Sequence, residues 1–200
     1  MAKTYTTPKG TAVYPRIDTP DTKFDDDGLY SCKLHVSEGD FKAFEASLKP
    51  ELEAAYKAEC ARQGKDKLRM ASSSPIRITD DGDYEIFAKQ KAKVHTKTKG
   101  TLEFTVATFD SQGKKIETPK IGSGSTLKMA AEVSPWFVPS QGFGYTLRLR
   151  AVQVLDLVEY GAGSSGGFGF GAEEDGFVGE GEKFTETFKA AEASEDGAPF

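Results

Sequence analysis

The sequence predicts an all-β domain, a small β-barrel or sandwich, with one helical insertion and a flexible acidic C-terminal tail. Short segments rich in β-branched and aromatic residues recur through the first 160 residues. Only one segment has the three- and four-residue spacing of apolar residues that indicates a helix. Near residue 160 an apolar run gives way abruptly to Gly- and Ser-rich sequence, which is typical of flexible chain. We therefore expect two parts, residues 1–160 and residues 161–200.

The predicted strands are short and are separated by turn-like sequence. They cover residues 11–17, 29–36, 74–78, 83–95, 101–110, 126–133 and 144–160. The connection DSQGKK, residues 110–115, has hairpin character because Gly in a short polar segment permits a tight reversal of the chain.

The helical insertion is predicted between the second and third strands. Its apolar residues, at helical spacing, are Phe41, Phe44, Leu48, Leu52, Ala55 and Tyr56. Ser37 can serve as the N-cap and Gly64 as the stop. Pro50 lacks a backbone N–H and clashes with the preceding turn, so it either kinks the helix or begins a second one.

The net charge of -5 is unevenly distributed. Residues 1–160 hold 24 Lys and Arg against 22 Asp and Glu, whereas residues 161–200 hold 2 against 9. A near-neutral body can therefore present a basic surface although the whole chain is acidic.

Composition also excludes several classes of protein. No window approaches the ~20 consecutive apolar residues of a transmembrane helix, and the N-terminal sequence has no apolar signal region. Cys32 and Cys60 lack CxxC spacing, which fits a reducing cytoplasm. We therefore expect a soluble, intracellular protein without a membrane partner.

Signals for catalysis are weak, so we expect no enzyme, no metal site and no cofactor. His35 and His95 do not lie near a cysteine in a zinc-like pattern. Asp25–Asp27 can attract a divalent cation, as in a metal-dependent nuclease, but three acids before Gly are more typical of a solvated turn. The GSGS stretch at 122–125 lacks the lysine of a phosphate loop and precedes a strand rather than a helix.

The first candidate binding surface lies on the predicted strand 83–95. Successive side chains of a strand point to opposite faces. One face then carries Tyr84, Ile86, Ala88, Ala92 and Val94, and the other carries Phe87, Lys89, Lys91 and Lys93. Lys97 and Lys99 extend the charge into the next turn. Adjacent like charges repel, and a bound polyanion would stabilise them, as in single-strand nucleic-acid binding. A solvated strand face is the alternative.

A second cluster follows, in SPWFVPSQGFGYTLRLR. Its candidate contacts are Trp136, Phe137, Phe143, Tyr145, Arg148 and Arg150. Trp136 and Phe137 between prolines can form a stiff aromatic platform, and Phe143 and Tyr145 beside glycines suggest an exposed, mobile loop. The alternatives are that the aromatic residues belong to the core and that the arginines pair with acids on a neighbouring strand.

The tail combines acids with aromatic residues. We expect Glu195, Asp196 and Phe200 to bind a partner: the acids steer the tail to a basic surface and the terminal ring fills a pocket. The tail can also occupy the basic surface of the body as a polyanion, so that truncation after about Tyr160 would tighten nucleic-acid binding. A solvated chain end is the alternative.

These segments together carry a resemblance. The run VATFDSQGKKIETPKIGSGSTLKMAAEVSPWF, then YTLRLRAVQVLDLVEYGAG and an acidic tail ending in Phe, resembles the phage-encoded single-stranded-DNA-binding proteins of short-tailed coliphages and their relatives. The similarity is clearest over residues 84–163 and at the C-terminal end. It implies an OB-fold barrel, a homodimer, and tail contacts with the replisome polymerase and helicase. The DNA contacts that it implies are Lys89, Lys91, Lys93, Lys97, Trp136, Phe137 and Arg148.

The function that we expect is non-specific single-stranded DNA binding and protection in phage DNA replication, recombination and repair, with strand annealing, in the cytoplasm of the infected bacterial host. The alternative is a structural β-domain of a phage assembly that docks through its Phe-rich tail.

Overall fold

The computed structural model describes residues 3–159 except Phe24, Lys97 and Lys99. Its helix is α1 (Glu38–Gln63), and its strands are β1 (Thr4–Thr6), β2 (Gly10–Asp21), β3 (Leu29–Val36), β4 (Ile76–Ile78), β5 (Tyr84–Lys91), β6 (Lys93–Thr96), β7 (Gly100–Glu103), β8 (Ala107–Phe109), β9 (Lys115–Ile116), β10 (Thr126–Val138) and β11 (Gly142–Asp156). The predicted tail, residues 161–200, lies outside the described residues.

Five of these strands close into a barrel. β2 pairs with β3, β3 with β5, β5 with β11, β11 with β10, and β10 returns to β2. The β5–β11 pair is parallel, and the other four are antiparallel. This is the five-stranded Greek-key barrel of the OB-fold, with α1 inserted between its second and third strands, and it confirms the predicted fold class. Additional strands extend the barrel at β10, β5 and β11.

Alternation along the barrel strands fixes which side chains face outward. The fully buried side chains include Cys32 and Leu34 of β3, Ile86 and Ala88 of β5, Leu127 and Met129 of β10, and Leu147 and Leu149 of β11. Successive side chains of a strand point to opposite faces. The intervening residues of β3, β5 and β11 therefore form one outer surface.

The helix closes the barrel from one side. Phe41, Phe44 and Leu48 are buried in the barrel core. Ser37 accepts a hydrogen bond from the Asp40 N–H at 3.2 Å, and Gly64 ends the helix with φ 63°, as predicted. The helix continues through Pro50, so of the two alternatives for this residue the start of a second helix is excluded. The part of the helix before Pro50 packs in the barrel core, and the part after it contributes Cys60 to a smaller cluster. Packing on both sides of Pro50 keeps the helix continuous.

The predicted strand 83–95 is not continuous. Ala92 interrupts it: its N–H donates to the Gly28 carbonyl at 2.8 Å and its carbonyl accepts from the Phe104 N–H at 2.8 Å. The chain therefore leaves the barrel and forms the β6–β7 pair, a separate two-stranded sheet. Val94 lies in that sheet and not beside Ile86. The same contact at Phe104 divides the predicted strand 101–110 into β7 and β8.

The hairpin predicted at residues 110–115 is confirmed. Strand β8 pairs with β9, and the Gly113 N–H donates to the Asp110 carbonyl at 3.0 Å. Within the described part of the chain, no helix combines the length and the apolar character that crossing a membrane requires.

Candidate nucleic-acid interface

A groove crosses the outer surface of the barrel. It consists of two cavities, of about 330 Å³ and about 440 Å³. Lys89 of β5 and Thr146 of β11 line both cavities, so the two adjoin. We call them together the barrel groove. Its aromatic half is lined by Phe87, Trp136 and Tyr145 with Ser73, Ser74, Pro75, Gln141 and Leu147. Its cationic half is lined by Lys91, Arg148 and Arg150 with Asp25, Leu29, Gln90, Val94 and Phe104.

Lys89 and Arg148 form the centre of the groove. They are register partners on the parallel strands β5 and β11, so their side chains leave the sheet side by side. Among the described residues, neither has an acidic group within 4.0 Å. Two adjacent cations without a carboxylate partner favour an anionic ligand at this point.

Lys91 differs from the predicted row of uncompensated lysines. Its ammonium lies 3.0 Å from Asp25 and 3.1 Å from Asp27, both in the turn between β2 and β3. The hydrogen bond from Lys91 lowers the pKa of Asp27, and the hydrogen bonds to the two carboxylates raise the pKa of Lys91. The acidic run is thus a partner for a lysine. No group of three or more metal-ligating side chains occurs among the described residues.

Lys93 does not continue the β5 row. The break at Ala92 places it on β6, opposite Glu103 of β7, with 3.8 Å between its ammonium and that carboxylate. Lys97 and Lys99, predicted to extend the charge, lie outside the described residues, as do the tail residues Glu195, Asp196 and Phe200.

Arg150 pairs with an acid on a neighbouring strand, which is the alternative that the sequence left open. Its guanidinium donates to Glu132 of β10 at 2.6 Å. Arg150 still lines the cationic half of the groove, so it contributes to the wall although its charge is compensated.

Trp136 and Phe137 lie on opposite faces of one strand. They occupy β10, where Trp136 pairs with Gly144 and Phe137 with Phe143. Trp136 is half-buried and lines the aromatic half of the groove. Phe137 packs against the smaller cluster of Cys60, Leu68 and Phe143. Since successive strand residues alternate, the predicted platform of two rings does not form.

The predicted mobile loop around Phe143 and Tyr145 is wrong, because both residues belong to β11. Phe143 is only 2% exposed and lies edge-on to Tyr56, with 5.3 Å between ring centroids. Tyr145 lines the aromatic half of the groove and also packs against the barrel core. Its hydroxyl lies 3.4 Å from that of Ser74, and burial raises its pKa.

Several lining residues were not identified from the sequence. They are neutral and polar: Ser73, Ser74, Gln141 and Thr146. Only Thr146 could have been identified from the sequence, since it lies two residues before Arg148 on β11 and therefore shares its face. Ser73, Ser74 and Gln141 come from loops whose position depends on the fold.

No family model matches the chain. The chain is 33% identical over 84 residues to a single-stranded DNA-binding protein of Enterobacteria phage T3, a match that covers 41% of this chain and 36% of that protein. It is 34% identical over 87 residues to the single-stranded DNA-binding protein of Escherichia phage T7, covering 42% and 37%. The matches thus span little more than a third of these relatives.

Solved structures extend the similarity over the barrel. The crystal structure of gp2.5, a single-stranded DNA-binding protein encoded by bacteriophage T7, superposes with a TM-score of 0.68 at 26% identity and covers 78% of this chain and 93% of that one. The single-stranded DNA-binding protein of bacteriophage Enc34, solved with ssDNA, shares the fold with a TM-score of 0.57 at 13% identity, over 78% and 88%. Sequence and fold thus confirm the resemblance of this chain to the phage-encoded single-stranded-DNA-binding proteins.

Proposed function

We propose that this protein binds single-stranded DNA along the barrel groove without sequence specificity. The observation that carries the proposal is that Lys89 and Thr146 line both cavities, which places the aromatic half of the groove beside the cationic half. Cations track the phosphates and exposed rings stack on bases, and neither interaction depends strongly on which base is present.

The comparisons support the same ligand. The T3 and T7 relatives are named single-stranded DNA-binding proteins, and the Enc34 neighbour was solved in complex with ssDNA. On this basis we extend the proposal to protection of single strands and strand annealing in phage DNA replication, recombination and repair, in the cytoplasm of the infected host. The groove and these relatives favour this function over a structural β-domain of a phage assembly.

The proposed contacts fall into three sets. The primary contacts are Phe87, Lys89, Trp136, Tyr145 and Arg148, which line the groove and have no acidic partner among the described residues. Lys91 and Arg150 contribute if phosphates replace their carboxylate partners. Lys93, with Lys97 and Lys99, would extend the contact beyond the barrel, and Phe137 would support the strand that carries Trp136.

A salt titration tests the proposal. Each phosphate contact with a single strand contributes about 0.7 to the slope of log affinity against log salt, so Lys89→Ala/Arg148→Ala lowers that slope by about 1.4. Lys49→Ala/Lys57→Ala, at two exposed positions of α1, is the charge-matched control and leaves the slope unchanged. Oligo(dT) is expected to quench Trp136 fluorescence. An unchanged slope in the double variant, with no Trp136 response in the parent protein, contradicts the proposal.

We further propose that the protein acts by binding and not by catalysis, so that single-stranded DNA incubated with the protein and Mg²⁺ stays intact. The resemblance also supports a homodimer and binding of the tail, through Glu195, Asp196 and Phe200, to the replisome polymerase and helicase. Sedimentation tests the dimer. Deletion of residues 161–200 tests the tail and is expected to abolish binding to both replisome proteins.

A further inference from the structure

Tyr14 has a backbone conformation that an L-amino acid rarely adopts. Its φ is +47°, and it is the single non-glycine residue with positive φ in the described part of the chain. It lies at a bulge in the β2–β3 pairing, where two residues of β2, Tyr14 and Pro15, lie opposite the single residue Cys32 of β3. Its N–H donates to the Ser123 hydroxyl at 3.0 Å, which holds the backbone in place.

The Tyr14 side chain has little packing contact that could offset the cost of this backbone conformation. Tyr14 is 77% exposed, more than any other large hydrophobic residue among the described ones. A left-handed tyrosine costs free energy that glycine would avoid. An outlier maintained without a packing benefit is a reason to look for a ligand contact.

A row of register partners, three cations and one serine, leads from the barrel groove across the sheet to β2, the strand that contains this tyrosine. Arg16 of β2 pairs with Ser31 of β3, Ser31 with Lys89 of β5, and Lys89 with Arg148 of β11. Register partners point to the same face of a sheet. The row therefore crosses four strands on the outer surface and spans about 14 Å, at about 4.8 Å for each of the three steps.

The ends of the row give it a direction. Arg16 is exposed and, within the described residues, has no acidic group within 4.0 Å. Beyond Arg148 the next register partner is Glu132, whose carboxylate pairs with Arg150, so this position offers a phosphate no unpaired cation. On β2 itself Asp18, the next exposed residue on the face of Arg16, repels phosphate. Tyr14 is the exposed residue of β2 on the other side of Arg16. A DNA strand that passes Arg16 therefore avoids Asp18 by running towards Tyr14.

We propose that single-stranded DNA leaves the barrel groove across Ser31, contacts Arg16 through a phosphate, and stacks a base on the exposed ring of Tyr14. This inference rests on the proposed function and adds a second stacking site, remote from Trp136. The ligand class is a nucleobase of a strand that already occupies the groove.

The test compares two oligonucleotide lengths with the full-length protein. Oligo(dT) of about 5 and about 20 nucleotides lies near the lower limit and above the upper limit of OB-fold site sizes. Tyr14→Gly is expected to weaken binding of the longer oligonucleotide by about 5-fold to about 150-fold, the range of one stacked base, and to leave the shorter one unchanged. Its unfolding midpoint is expected to stay equal or to rise, because glycine adopts this φ freely.

Three further variants complete the design. Tyr14→Phe retains the ring and is expected to retain affinity, whereas Tyr14→Leu retains bulk without a π face and is expected to lose it. Arg16→Ala is expected to reduce the salt slope for the longer oligonucleotide by about 0.7, with Lys57→Ala as the charge-matched control.

The outcomes separate the two proposals. Parent-like affinity of Tyr14→Gly and Tyr14→Leu for both lengths, with weakened binding by Lys89→Ala/Arg148→Ala, overturns the Tyr14 site alone. Parent-like binding by Lys89→Ala/Arg148→Ala overturns the groove and the Tyr14 site together.

Discussion

The indole of Trp136 lies directly over Gly144 on the facing strand. A Cβ atom added to Gly144 would come within 2.4 Å of the Trp136 ring, far inside van der Waals contact. The two are register partners in the β10–β11 hairpin. The absence of a side chain at Gly144 therefore positions the indole at the aromatic half of the groove.

Replacing Gly144 by Ala is expected to displace the indole. The ring has to rotate away from the hairpin, so we expect a shifted emission maximum for Trp136 and weaker binding of oligo(dT), by about 5-fold or more if one base loses its stacking partner. Fluorescence of the free protein and a binding titration measure both effects.

Gly39→Ala is the matched control for that substitution. A Cβ at Gly39 meets no atom within 4 Å, and this residue lies in the first turn of α1, where Ala is the better helix former. We expect unchanged emission and affinity with equal or higher stability. Parent-like emission and affinity in Gly144→Ala would mean that the indole position does not depend on Gly144.

The backbone of Arg69 leaves no room for a side chain at Gly142. Its φ is +101°, and a Cβ there would lie 2.3 Å from the Arg69 carbonyl oxygen, the acceptor for the Phe143 N–H. Gly142→Ala is therefore expected to lower the free energy of unfolding by more than about 1 kcal/mol, measured by denaturant titration. A smaller loss would show that the 69–71 segment moves aside easily.

The Ser125 hydroxyl links the segment before β10 to the segment after β11. Its side chain is fully buried; its hydroxyl lies 2.9 Å from the Gly122 carbonyl and accepts from the Val158 N–H at 3.0 Å. Ser125→Ala removes the acceptor of the Val158 N–H, although the Gly122 carbonyl keeps the Ser125 N–H at 3.3 Å, and is expected to cost about 1–3 kcal/mol of unfolding free energy. The exposed Ser123 is less suitable as a control because it binds Tyr14, so Ser140→Ala, in the exposed hairpin turn, serves instead and is expected to be neutral.

The sequence was sufficient for features that depend on local periodicity. The bounds of β3 agree with residues 29–36, and Ser37 and Gly64 cap α1 as predicted, because alternation and capping are properties of neighbouring residues. The outward direction of Phe87, Lys89 and Lys91 followed from the same alternation. The GSGS stretch, weakly similar to a phosphate loop, instead places Ser125 inside the barrel.

Long-range contacts determined what the sequence did not predict. Ala92 is an ordinary strand residue by propensity, yet its hydrogen bonds to Gly28 and Phe104 end β5 and move Lys93 away from the row. The partners of Lys91 lie 64 and 66 positions away. Tyr14 has no local feature that predicts a left-handed backbone, since its conformation depends on Ser123 of another loop.

Under the proposed function, Asp27 competes with a DNA phosphate for Lys91. Its carboxylate occupies the position beside the ammonium that a phosphate would take, so Asp27→Asn is expected to tighten ssDNA binding. Because Asp25 still holds Lys91, Asp25→Asn/Asp27→Asn is expected to act more strongly and to steepen the salt slope by about 0.7, as one further phosphate contact is gained. Asp80→Asn/Asp81→Asn, two exposed acids in the turn before β5, is the charge-matched control for the double variant and should leave the slope unchanged.

The same pair has a defined pH dependence. Lys91 lowers the pKa of Asp27, so its contribution to stability is present above the ordinary pKa of an aspartate and is lost as the pH falls through the lowered value. The difference in unfolding midpoint between the parent protein and Asp27→Asn is therefore expected to be constant from neutral to mildly acidic pH and to shrink only below the ordinary aspartate range. A difference that disappears near neutral pH would contradict the assignment of this stability to the pair of Lys91 and Asp27.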